Sequence, residues 1–228
     1  MANNSTAGYG CRQTMTVGNT PATGGQSEFT VQGGGSPGAT KAIFKGAPVA
    51  MQTAAGGAGV LGHIQDQTAA LMTDGIVGGN TWAHNTANTN GSLGVFNGAT
   101  FVDANGKPTW TNGLAAAQTS SVDYNTGSNN ITAFVNTNPH QEYTARADAA
   151  VGIASFNTLT NTGYNLNDAG AGVDGQSDCT LDIANTTGTA NYMWKLVRSA
   201  NVTNQDDLTA AGADIIISYN PQANAYLA

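Results

Sequence analysis

The sequence predicts a mainly β protein, made of two small β-rich units of barrel or sandwich type and preceded by an extended N-terminal arm. Three observations predict it. Apolar and aromatic residues come in short runs, such as Ile131-Thr132-Ala133-Phe134-Val135 and Ile215-Ile216-Ile217, whose length suits strands better than helices. The runs are separated by Gly, Asn and Thr, with Asn97-Gly98 and Asn105-Gly106 as strong short-range turn signals. Charged residues make up only 9% of the chain while Gly alone numbers 30, against roughly 25% charge in ordinary globular domains, so few ion pairs are available to hold it.

Each segment has its own reason. Residues 1–40 are small and polar, with Gly24-Gly25 near their middle, and read as an arm that gains structure by lying on a neighbour. Tyr9, Met15 and Val17 are its apolar anchors and the candidate contact residues. Within this stretch Gln26 to Gln32 alternates Phe29 and Val31 as a short strand, broken by Gly33-Gly34-Gly35-Ser36-Pro37-Gly38.

Residues 41–112 form the first predicted unit. Ala42 to Met51, Leu61 to Ile64 and Leu93 to Phe96 supply strands; Gln65 to Met72 admits a short helix that Gly75 and Gly78-Gly79 would end. Leu93, Val95, Phe96, Phe101 and Val102 bracket Asn97-Gly98, which reads as a tight turn, and Asp103 to Pro108 makes a second turn. Residues 113–130 read as a connecting loop. In the second unit, 131–228, strands are expected at Ile131 to Val135, Glu142 to Arg146, Cys179 to Ile183, Met193 to Val197 and Ile215 to Tyr219. Asn204 to Gly212 suggests one helical turn, with Asn204 as cap and Asp206-Asp207 near its positive end.

With 228 residues the chain can bury a substantial core. A net charge of −7 and no cluster of Lys and Arg argue against a nucleic-acid partner, whose phosphates require concentrated positive charge. Met1 to Met15 shows no basic start followed by an apolar run, and no segment has bilayer-spanning length; synthesis and folding in a cytoplasm and no membrane partner are expected. In that reducing compartment Cys11 and Cys179 are expected as thiols.

Catalytic patterns are missing from the sequence. It has no Gly-x-Ser-x-Gly elbow, no phosphate loop and no His-Glu-x-x-His helix, and His63, His84 and His140 are scattered. The acidic loop from Asp168 through Asp174 to Asp178 offers carboxylates that calcium favours, but its spacing matches no EF-hand, and turn formation by Asp and Gly accounts for it. Trp82, Trp110 and Trp194 read as core or interface anchors. Neither an enzyme nor a cofactor or metal site is expected.

Motif order points further. Leu93-Gly94-Val95-Phe96-Asn97-Gly98 runs into Ala99-Thr100-Phe101-Val102-Asp103, then Lys107-Pro108-Thr109-Trp110 and later Ile131-Thr132-Ala133-Phe134-Val135-Asn136-Thr137-Asn138-Pro139 ahead of Glu142-Tyr143. This series resembles the capsid decoration, or cement, proteins of marine and cyanobacterial tailed phages. Gly46-Ala47-Pro48-Val49 is likewise similar to the turn and strand that open small barrels in phage cement proteins. The resemblance spans about residues 41–228 and is densest from 93 to 148; 1–40 and 113–130 carry no motif of the group. It implies a virion protein on the outer surface of an icosahedral capsid, bound to the major capsid protein, trimeric, and stabilising the shell against internal DNA pressure. An adhesive or tail-fibre-associated virion protein is the alternative.

Overall fold

The computed structural model describes residues 4–18, 20–22, 25–32, 43–51, 63–66, 92–115, 130–152, 156, 164–167, 174–183 and 194–219. The protein is mainly β, as the short apolar runs predict, with strands and turns and essentially no helix among these residues. The strands are β1 (Arg12–Thr16), β2 (Thr20–Pro21), β3 (Ser27–Gln32), β4 (Ile43–Phe44), β5 (Pro48–Met51), β6 (His63–Asp66), β7 (Ser92–Val102), β8 (Pro108–Thr111), β9 (Gly113–Leu114), β10 (Asn130–Asn136), β11 (Gln141–Arg146), β12 (Asn165–Asn167), β13 (Thr180–Asp182), β14 (Trp194–Ser199) and β15 (Asp214–Tyr219).

One sheet runs β14-β15-β11-β1-β2 and is antiparallel throughout. Its two faces follow the period of two. Tyr143, Ala145, Ile215, Ile217 and Tyr219 join one buried cluster with Trp194, Leu181 and Cys11. The alternate residues carry the ion pairs, Arg146 to Asp214 at 3.0 Å and Arg198 to Glu142 at 2.7 Å. Every residue of β15 is buried, as the Ile215-Ile216-Ile217 run predicts. At the cluster's centre Trp194 stacks on Tyr219 at 4.6 Å between centroids, and Tyr143 meets both rings edge-on, the arrangements that aromatic quadrupoles favour.

The other large sheet runs β10-β3-β6-β5-β7-β8, and β10 pairs additionally with β7. All its pairs are antiparallel except β3 with β6. Ile131, Ala133 and Val135 of β10 point inward with Val49, Leu93, Phe96 and Ala99, and Ile43 and Leu114 complete that core. The 11-residue β7 is the wall between the two cores: Phe96 belongs to this one and Val95 to the other. Backbone bonds stitch the wall, with Cys11 N–H to Gly46 O at 2.8 Å and Gly46 N–H to Phe96 O at 2.8 Å.

Several sequence expectations change. Asn97-Gly98 is not a turn but a β-bulge inside continuous β7: Val135 faces Phe96 and Phe134 faces Gly98, leaving Asn97 unpaired. The dipeptide serves both features, because a tight hairpin turn and a glycine-containing bulge can each use a residue at positive φ, and Gly98 has φ 131°. Asp103 to Lys107 does turn the chain from β7 into β8, closed by Gly106 N–H to Asp103 O and by Asp103 Oδ1 accepting from Asn105 and Lys107 N–H. Asn204 to Gly212 is a series of turns rather than a helix. Asn204 takes φ 65°, which an N-cap does not use, and Asp207 Oδ1 folds back onto the Thr209 N–H and hydroxyl.

Gln65 and Asp66 belong to strand β6, and residues 67–72 lie outside the described ones. Sheet membership also crosses the boundaries drawn from composition. β1 and β3, from the 1–40 stretch, enter the two sheets, while β10, from the second predicted unit, pairs only with strands from before residue 103. Of the 113–130 loop, Gly113–Leu114 is strand β9, paired with β4, and residues 116–129 lie outside the described ones.

Candidate functional site

The three candidate contacts of the N-terminal stretch have different fates. Tyr9 is buried, with 7% exposure, and belongs to a clasp that fastens the first residues to the sheet. The Arg12 guanidinium lies 4.0 Å and that of Arg146 4.8 Å from the Tyr9 ring centroid. Arg146 Nε bonds Asp214 Oδ1 at 3.0 Å while its Nη1 donates to Ala7 O at 2.7 Å. Burial first, and then the Asp214 carboxylate to which its hydroxyl bonds, push the Tyr9 phenol well above its ordinary pKa. Tyr9 thus packs within its own fold rather than facing outward.

Met15 and Val17, by contrast, are 42% and 57% exposed at the β1–β2 tip. That tip is held in place. Met15 O accepts from Gln141 Nε2 at 2.7 Å, Val17 N–H donates to His140 O at 2.7 Å, and Thr16 Oγ1 donates to Thr20 O at 3.1 Å. Two apolar side chains therefore stand on a fixed backbone, which lowers the ordering cost of any contact they make.

A second exposed apolar residue, Trp110, faces a cleft. β8 opens with Pro108, which cannot donate to a further strand, and its residues alternate in exposure, leaving Trp110 52% exposed. The indole lies across the Gly98 backbone, where an added Cβ would come within 2.5 Å of Trp110 Cζ2. On β10 the outward Phe134 meets it at 5.1 Å between centroids. Beside Trp110 opens a cleft of about 580 Å³ lined by Phe44, Asn112, Asp174 and Gly175. Lys45 N–H holds its two walls together, donating to Asn112 O at 2.8 Å and Gly175 O at 3.0 Å. Asp174 and Gly175 turn there with φ 54° and 75°. The alternation of β8 from an edge proline was the sequence signal for an exposed Trp110; nothing local could announce Asp174 beside it.

A smaller cleft of about 330 Å³ lies between the sheets and is lined by Cys11, Lys45, Asn97, Asn136 and Tyr143. Asn136 Oδ1 accepts from Asn138 N–H at 3.1 Å, which leaves buried Nδ2 as a donor with no acceptor among the described residues. Burial alone pushes the Cys11 thiol far above its ordinary value, so it remains protonated and weakly nucleophilic. Cys179 is buried in the same core cluster.

Among the described residues no three His, Cys, Asp or Glu side chains converge as metal ligands. Of the acidic loop, 168–173 lie outside the described residues, as do Trp82 and His84. His140 is exposed and Trp194 is fully buried. No protein-family model matches the chain, and no curated protein or solved structure is significantly similar to it. The functional reading therefore rests on the chain's own residues.

Proposed function

We propose that this chain is a structural virion protein that decorates the outer surface of an icosahedral phage capsid and acts by contact rather than by catalysis. The observation that carries the reading is the ordered series of motifs from Leu93 to Trp110 and Ile131 to Pro139, which resembles capsid cement proteins. The rigid β1–β2 tip with exposed Met15 and Val17 supports it as a ready contact element. An acidic chain of net charge −7 belongs on the outside of the shell, where packaged phosphates do not repel it.

The partners in this reading are the major capsid protein and two further copies of the chain in a trimer. Each interface of about 1,600 Å² raises the free energy of separating shell subunits, and repetition over the shell multiplies the effect. Quantitative mass spectrometry of purified particles tests it through copy number relative to the major capsid subunit. A ratio near one is expected. A ratio far below one moves the protein to the tail or a fibre, and absence from particles refutes a virion role.

A further inference from the structure

The Trp110 cleft is unusual in what it places together. A Trp half in solvent leaves apolar area uncovered that burial would stabilise at about 25 cal/mol per Å², yet this one is fixed in that position. Gly98 lets the indole sit against the backbone and Phe134 supports it, so its exposure is built in rather than the result of a loose side chain. Around it the exposed side chains of Asn112 and Asp174 bring amide and carboxylate groups. Thr111 adds little, since its hydroxyl already donates to Gly113 O at 2.6 Å.

We propose that this cleft binds a neutral sugar ring of a polysaccharide. A pyranose has one face of C–H groups that covers an indole and a rim of hydroxyls that both donate and accept. Asn112 can do both and the Asp174 carboxylate accepts from two hydroxyls, so each half of the sugar meets its complement. The walls are preset: Lys45 N–H ties Asn112 to Gly175, and the left-handed turn at Asp174 and Gly175 fixes where the carboxylate stands. Such preorganisation reduces the ordering cost of binding. An anionic ligand fits less well, because Asp174, the only charged residue of the described lining, would repel it. The site needs no capsid, so it stands or falls independently of the virion role.

Affinity electrophoresis of the purified full chain through gels carrying dextran, mannan or galactan, together with a printed array of neutral oligosaccharides, tests the proposal. Retardation by at least one neutral glycan is expected, with affinity falling tenfold or more in Trp110→Ala, several-fold in Asp174→Asn and Asn112→Ala, and little in Trp110→Tyr. Asn112→Ala and Asp174→Asn alter only exposed side chains, so they report on the site even if Trp110→Ala perturbs folding. Binding should persist at about 1 M salt, where charges are screened within about 3 Å. No binding to any glycan, binding indifferent to these substitutions, or binding abolished by salt would each overturn it.

Discussion

Replacing Arg146 tests whether the N-terminal residues are part of the fold. The guanidinium makes three contacts at once: the Asp214 carboxylate at 3.0 Å, the Ala7 carbonyl at 2.7 Å and the face of Tyr9. In Arg146→Ala the Asp214 carboxylate keeps its site but loses its counter-charge. Breaking a buried pair from one side costs about 3–5 kcal/mol. The two side chains retain 12% and 8% exposure, so water relieves part of that, and about 3 kcal/mol is expected, roughly a hundredfold in the folding equilibrium.

Arg146→Lys keeps the charge but cannot span Asp214 and Ala7 with one rigid fork, and should lose about 1–2 kcal/mol, one hydrogen bond's worth. Asp214→Asn in the Arg146→Ala background removes the uncompensated charge and should recover part of the loss. Urea unfolding at neutral pH, followed by circular dichroism and by the fluorescence of buried Trp194, supplies the numbers. Trypsin supplies a second readout: freed from the clasp, the chain should be cut after Arg12 much faster than in the native protein. A loss below about 1 kcal/mol with unchanged cleavage would refute the clasp and restore a free arm.

Two further outcomes follow from the packing. Gly98→Ala puts a Cβ at φ 131° and within 2.5 Å of the Trp110 ring; backbone strain plus a displaced indole should cost about 2–3 kcal/mol in urea unfolding, with a shift in Trp110 emission. Alkaline pH should destabilise the protein. Cys11, Tyr9 and Tyr143 are each held above their ordinary values, 9.0 for the thiol and 10.0 for the phenols, chiefly by burial. The unfolded chain then ionises first, so their contribution is complete below about pH 9 and is lost as pH rises beyond it. Cys11→Ala should remove the earliest part of that decline, measurable as a flatter plot of unfolding free energy between pH 8 and pH 10, spanning the ordinary thiol value of 9.0.

Strands were legible where alternation or an apolar run was strong. Ile215 to Ile217, Glu142 to Arg146 and Ile131 to Val135 all lie in the expected places, because local pattern and burial agree there. What failed were features in which one residue type serves two geometries. Asn-Gly supplies positive φ to turns and bulges alike, and Asn204 suits a cap or a left-handed turn; the neighbouring strand decides, and a single sequence does not reveal that neighbour. The N-terminal stretch is hard to place from sequence for a related reason. Tyr9 and Cys11 are too few to suggest a core by themselves, yet Cys11 joins one built from Val95 and residues 143 to 219, and Tyr9 is buried as well. Arg146 carried a faint signal, a cation alternating with buried Tyr143 and Ala145, but its partners Ala7 and Asp214 are remote in sequence. For the site, the sequence offers Met15 and Val17 by apolar type and the structure adds only that they are exposed, whereas the cleft beside Trp110 needs the fold to bring residues 110 and 174 together.

β15 is the last described strand in the chain, yet it sits between β11 and β14 rather than at an edge. During synthesis β11 must therefore wait, with Tyr143 and Ala145 uncovered, until β15 leaves the ribosome. Long-range closure of this kind is slow, and a partly made chain exposes surface on which copies can aggregate. A product terminated before Asp214 lacks an interior strand of this sheet and the partner of Arg146, and should be cleared by proteolysis.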